Sequence, residues 1–170
     1  MIIAHLSHNT ITSSSEEAFS LYEKSRWGEK KQNSIEYAPV EAFSLITDGK
    51  MEFHAAHTKL DQHKALSKLR RLDKNIETKH VVFSDLRKRG YIVKTALKFG
   101  AEFRVYEKGV KPGEDHAVWL LYPVKEHQNQ TWYDFAAKMR VATSTKKKLL
   151  IAIVDNESDV TYYEVSWLRP

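Results

Sequence analysis

The chain has 170 residues, no cysteine, and 27 Lys+Arg against 22 Asp+Glu, for a formal charge of +5. That length admits one domain or two small ones, and an apolar fraction of 42 % is enough to build a core. Disulfide scaffolds, cysteine–zinc sites and thiol catalysis are excluded; no apolar stretch nears the roughly 18–20 residues of a membrane span, and Met1-Ile2-Ile3-Ala4-His5 has no export-signal character, so a soluble cytoplasmic protein is expected.

A first block runs to about Asp73. It opens with short β-like runs, then Ser13-Ser14-Ser15-Glu16-Glu17, which reads as a loop or capped turn. Residues 26–33, polar and punctuated by Gly28, read as loop. Pro39 near the start and Gly49 past the end bracket a short helix over 39–46. From His57 to Leu72, Leu60, Ala65, Leu66 and Leu69 fall on an approximate helical stripe among many charges, which predicts a surface helix.

A second block runs from about Lys74 to the end. Val81, Val82 and Leu86, closed by Gly90 and with Arg87-Lys88-Arg89 in the last turn, predict a helix. Tyr91-Ile92-Val93-Lys94 begins a β pattern. Residues 102–106 alternate strictly, with Phe103 and Val105 on one face and Arg104 and Tyr106 on the other. Residues 109–115 form a loop, 117–122 a strand apolar on both faces and therefore central, and 132–140 a helix. Residues 149–154 read as a second fully buried strand, and 160–167 alternate after the acidic turn 155–159. The predicted fold class is mixed α/β: a small N-terminal α/β domain over 1–75, then a C-terminal domain over 76–170 with a mixed four- to five-stranded sheet flanked by helices.

Up to Thr78 there are 11 basic and 11 acidic residues; beyond it there are 16 and 11, so the whole +5 lies in the C-terminal part. A polyanion such as nucleic acid fits that asymmetry as a partner. An ordinary basic, solvated surface fits it equally.

Several chemistries are missing. There is no phosphate-cradling glycine loop and no Gly-x-Ser-x-Gly elbow. His54-x-x-His57 with His63 reads as solvated helix-surface histidines rather than a metal face, because no carboxylate pair accompanies them. The basic block offers another set: Tyr106 at a strand end, His116 closing the next loop, and Lys146-Lys147-Lys148 leading into a strand. Metal-free RNA cleavage needs a base for the 2′-hydroxyl, an acid for the leaving 5′-oxygen and a cation for the crowded phosphate. Histidine suits the acid and lysine the cation. Tyrosine suits the base only if its pKa falls by about 3 units, to which Arg104 or Lys147 can contribute. Tyrosines end strands and lysines begin them in inert domains too, so spacing alone does not single out a site.

The segment from Ser84-Asp85-Leu86-Arg87-Lys88-Arg89-Gly90-Tyr91-Ile92-Val93-Lys94 through Leu97-Lys98-Phe99-Gly100-Ala101-Glu102-Phe103-Arg104-Val105-Tyr106-Glu107-Lys108-Gly109, then His116, then 140–155 and Asp159-Val160-Thr161-Tyr162-Tyr163, resembles the archaeal tRNA-splicing endonuclease family. The likeness covers about 85 residues, and 22–29 and 39–53 fit it less sharply. It implies cleavage of precursor tRNA at both splice sites of a bulge–helix–bulge element, without metal or other cofactor, leaving 2′,3′-cyclic phosphate and 5′-hydroxyl ends. By residue match Tyr106 would be the general base, His116 the general acid and Lys147 the transition-state cation. Arg140 would stack on an extruded bulge base, with Arg169 the candidate for a second base-clamping arginine. Asp155, Glu157 and Asp159 match an acidic loop that docks into another subunit of a tetramer. That tetramer is either four copies of this chain or a heterotetramer with a non-catalytic subunit. A non-catalytic partner subunit of the same fold is the alternative role, and the retained trio argues against it. The chain departs from the family pattern at Thr143, where histidine is common, and at Asn156-Glu157-Ser158, where a glycine-containing turn is usual.

Overall fold

In the computed structural model of the protein, residues 1–96 and 100–170 are described. Leu97, Lys98 and Phe99 of the motif lie outside the described residues. The chain divides into two compact units, Met1–His80 and Val81–Pro170, and the mixed α/β class holds in both.

The first unit carries β1 (Ile2–Ser7), β2 (Thr10–Ser13), α1 (Glu16–Ser25), β3 (Glu29–Lys30), β4 (Ile35–Tyr37), α2 (Pro39–Thr47), β5 (Met51–Ala55), β6 (Thr58–Leu60) and α3 (Gln62–Leu72). Its sheet runs β3-β4-β2-β1-β5-β6, with β1 and β5 parallel. Alternation along β1 and β5 turns Ile2, Ala4, Met51 and Phe53 inward and leaves Ile3, His5, Glu52 and His54 on the opposite face. Ser15 caps α1, its Oγ accepting from the Ala18 N–H. Pro39 opens α2 as its position predicts. Glu41, buried in the first turn of α2, accepts from the backbone N–H of Gly28 at 3.0 Å and of Ala38 at 3.1 Å. Gly28 is required there: its φ is +74°, and a Cβ would sit 2.3 Å from Ile35 Cγ2 and 2.9 Å from the Glu36 carbonyl.

The stretch predicted as one helix from His57 is two elements. Ala56 and His57 take positive φ and turn the chain, Thr58–Leu60 pairs with β5, and the helix starts only after Asp61 caps it. Leu60 fits the helical stripe equally well as the partner of Phe53, an ambiguity that periodicity cannot resolve in so short a run. The histidines are accordingly not on one helix: His54 lies on β5 with its ring centroid 5.2 Å from that of His5, His57 is in the turn, and His63 is on α3.

The second unit contains most of α4 (Ile76–Lys88), then β7 (Ile92–Thr95), β8 (Phe103–Tyr106), β9 (Trp119–Lys125), α5 (Trp132–Ser144), β10 (Lys148–Val154) and β11 (Val160–Val165). The sheet order is β11-β10-β9-β8-β7, so β9 is central as its two apolar faces predict. Only β9 and β10 are parallel, with α5 as their crossover. Lys94, Arg104, Leu120, Leu149 and Val165 are register partners in turn, and therefore share one face of the sheet. Phe135, Met139 and Val141 of α5 pack against the Leu120–Tyr122–Leu149 cluster on that face. The other face meets α4, through Phe83 against Phe103 and a 2.7 Å hydrogen bond from the Tyr162 hydroxyl to Asp85. Several features differ from the sequence pattern: β9 runs from Trp119 to Lys125, α5 continues to Ser144, β11 stops at Val165, and β10 leaves Leu150, Ile151 and Ile153 half-buried rather than fully buried. The turn from β10 to β11 lacks glycine, and Ser158 supplies the left-handed residue with φ +68°.

Candidate active site

Hydrogen bonds lock one end of the second sheet into a row. The Val118 N–H donates to the Val105 carbonyl and the Lys148 N–H donates to the Val118 carbonyl, both at 2.9 Å. Tyr106 follows Val105, Lys147 precedes Lys148, and His116 lies two residues before Val118. At about 4.8 Å per strand spacing, the α-carbons of Tyr106 and Lys147 are roughly 10 Å apart across β9. His116 is within about 7 Å of Val118 along the chain. The three predicted catalytic residues are thus brought to one end of one sheet.

Each arrives there by a local device. Tyr106 ends β8 opposite Ile92, 5 % exposed, on the α5 face. His116 ends the loop before β9 and is exposed, its backbone N–H donating to Asp115 Oδ1 at 2.6 Å. Lys147 is delivered by the termination of α5: Thr145 is the C-cap, Lys146 takes the left-handed conformation at φ +54°, and the Lys146 and Lys147 N–H groups donate to Thr143 and Ala142. This is a Schellman arrangement with lysine where glycine is usual. It also separates the three lysines. Lys148 pairs with Trp119 on the α4 face, and its ammonium binds Glu164 at 2.9 Å. Glu164 also accepts from the Trp119 indole at 2.8 Å, and Lys148 foremost, then Trp119, hold its carboxyl below the usual carboxylate range. Lys146 is spent on the turn. Lys147, half-buried, falls in the alternate position on the face of Tyr106, its ammonium donating to the Thr145 carbonyl at 3.2 Å.

Arg140 lies on the exposed side of α5, about 6 Å of helix before its end. It lines an open groove of roughly 710 Å³ together with Phe135, Met139, Thr143 and Trp167. Trp167 was not singled out as functional by pattern, which carried it as a strand residue. It lies beyond the end of β11 and is 64 % exposed. Because Val165 pairs with Leu149, the tail beyond β11 emerges at the Lys147 end of the sheet, and Arg169, exposed, is on that tail.

Asp155, Glu157 and Asp159 lie elsewhere, in the turn at the far end of β10, whose seven residues span about 23 Å. Asp155 shapes that turn, its Oδ1 accepting from the Glu157 and Asp159 N–H groups at 2.9 Å. Glu157 and Asp159 are exposed. Among the described residues, no group of three or more His, Asp or Glu side chains is placed to hold a metal ion, and no helix is long and apolar enough to cross a membrane.

Against known proteins, residues 76–162 match the family model described as tRNA intron endonuclease, catalytic C-terminal domain. Across 170 aligned residues, 99 % of both sequences, the chain is 37 % identical to a tRNA-splicing endonuclease of Thermococcus kodakarensis. It is 38 % identical over 150 residues to one of Methanothermobacter thermautotrophicus, covering 88 % of this chain and 87 % of that one. A third, from Nanoarchaeum equitans, is 39 % identical over 137 residues, 77 % of this chain and 88 % of the relative.

Proposed function

This chain belongs to the tRNA intron endonuclease family, and on that footing we propose that it is a tRNA-splicing endonuclease that cuts precursor tRNA at both intron boundaries of a bulge–helix–bulge element without a metal ion. The observation that carries the mechanism is the hydrogen-bonded row Val105–Val118–Lys148, which gathers a phenol, an imidazole and an ammonium at one sheet end. The Tyr106 phenolate takes the proton of the 2′-hydroxyl next to the scissile bond. The 2′-oxygen attacks the adjacent phosphorus, the bond from phosphorus to the 5′-oxygen breaks, and the His116 imidazolium gives that oxygen its proton. Lys147 offsets the extra charge on the phosphoryl oxygens as it develops. The products are a 2′,3′-cyclic phosphate and a 5′-hydroxyl, with protons balanced by the phenol and the neutral imidazole left behind.

Arg140 supplies a planar cation at the wall of the apolar groove, suited to stacking on a base extruded from a bulge, with Arg169 as the second arginine. Residues 76–170 form the catalytic domain and 1–75 the N-terminal one. The working particle is a homotetramer in the cytoplasm, with the acidic turn at Asp155, Glu157 and Asp159 docking against another copy, so no second gene product is needed.

The test is cleavage of an intron-containing precursor in excess chelator, by the chain expressed alone and sized by light scattering. Undiminished cutting by a tetramer is the expected result, with cyclic phosphate ends on the product. Activity that vanishes in chelator and returns with a divalent ion overturns the metal-free mechanism. A monomer or dimer that needs another protein to cut overturns the homotetramer.

A further inference from the structure

Tyr106 presents an electrostatic problem. Only 5 % of it is exposed, and burial favours the neutral phenol, whereas a base that removes a proton must be a phenolate. The phenol therefore needs a positive neighbour. Around it, among the described residues, the charged positions on the same face are Glu102 and Arg104 of β8 and its approach, Lys94 on β7 opposite Arg104, and Lys147 ahead of β10; Tyr122 on β9 and His116 in the preceding loop also titrate. Of these, Arg104 contacts the ring: its guanidinium carbon lies 5.9 Å from the Tyr106 ring centre. Arg104 also stands between Tyr106 and the carboxylate of Glu102 in the alternation along the strand. It is half-buried, so its field is only partly screened, and its charge is permanent at any working pH.

We propose that Arg104 is a positioning residue for the cleavage reaction, its fixed charge stabilising the Tyr106 phenolate and so enlarging the fraction of molecules in which that base is ionised. The inference rests on the reading of Tyr106 as the base. Its kinetic consequence is specific. The reaction needs phenolate and imidazolium together, while tyrosine ordinarily loses its proton well above histidine. On the plateau between the two ionisations only a small fraction of molecules is correctly protonated, and each pH unit by which the phenol ionises earlier raises that fraction tenfold.

Tyrosine ¹³Cζ NMR titration of the full chain, with Tyr106→Phe assigning the resonance, reads the ionisation, and single-turnover cleavage reads its effect. A unit charge about 6 Å away at an effective dielectric of about 20 moves such a midpoint by roughly two pH units. Arg104→Gln therefore raises the Tyr106 midpoint by about two units and lowers the plateau rate about 100-fold, and Arg104→Lys recovers most of both. In the unsubstituted chain the Tyr106 midpoint lies below those of Tyr37 and Tyr162, whose phenols burial pushes up. A Tyr106 midpoint as high as theirs overturns the proposal whether or not an Arg104 variant folds. So does a glutamine variant whose midpoint stays put while its rate falls, the signature of a merely structural arginine. If Tyr106→Phe cuts at the unsubstituted rate, the assignment of the base itself has failed, whatever Arg104 does to the phenol.

Discussion

The two units of this chain are built alike and use their polar groups oppositely. Each holds a mixed sheet with one parallel pair, β1 with β5 and β9 with β10. In the first unit two buried polar side chains are tied into the fold: Glu41 accepts two backbone N–H groups, and the Ser44 hydroxyl is hydrogen-bonded to His80 Nδ1 at 2.8 Å. In the second unit Tyr106, His116 and Lys147 collect at one sheet end, and the formal +5 lies beyond Thr78.

That contrast is sharpest if stability and catalysis separate on substitution. The largest effect is expected at the site: His116→Ala, which removes an exposed imidazole, lowers single-turnover cleavage by about 10²–10⁴-fold with the melting temperature unchanged, and Lys147→Ala behaves similarly. Full cleavage by either variant would dissolve the proposed site. Next, raising salt from 50 to 200 mM weakens precursor binding about 100-fold if about four phosphates are neutralised; a filter-binding series whose affinity ignores salt would remove the role of the basic unit. In the first unit, Glu41→Ala strands one buried donor, Gly28 N–H, and one half-buried donor, Ala38 N–H, and costs about 2–4 kcal/mol in urea unfolding, with the cleavage rate constant of the folded fraction unaltered.

Two smaller effects test the frame of the second unit. Burial first, then the hydrogen bond to Asp85, raises the Tyr162 phenol well above its ordinary value. Protonated Tyr162 thus contributes stability in full below pH about 10, its unfolded value, and that contribution is lost as pH climbs toward the folded value. Unfolding of Tyr162→Phe should accordingly lose less stability between pH 8 and 11 than the parent chain does. Smallest is Lys146→Gly, which relieves a left-handed lysine and should add about 1 kcal/mol of stability. A loss instead would show that the lysine side chain, not its backbone conformation, matters at the end of α5.

Much of this was legible wherever one element carried its own signal. Pro39 and Gly49 bracket α2, and strict alternation sets Arg104 beside Tyr106 on one face of β8. Legibility failed where two periodicities agreed on the same few residues, as at Thr58–Leu60, and where a strand pattern ran on past its hydrogen bonds, as at Trp167. The histidines from His54 to His63 looked alike in sequence because a turn through two positive-φ residues has no hydrophobic period.

By itself the sequence determined the absence of thiol chemistry, the position of the positive charge and most single elements, because composition and local periodicity are properties of single segments. Which lysine of three shares a face with the tyrosine, and which end of the sheet receives the tail, was decided only by cross-strand register. A one-residue slip would put every side chain of β10 on the opposite face, and the hydrogen bonds that forbid it join residues tens of positions apart in the chain.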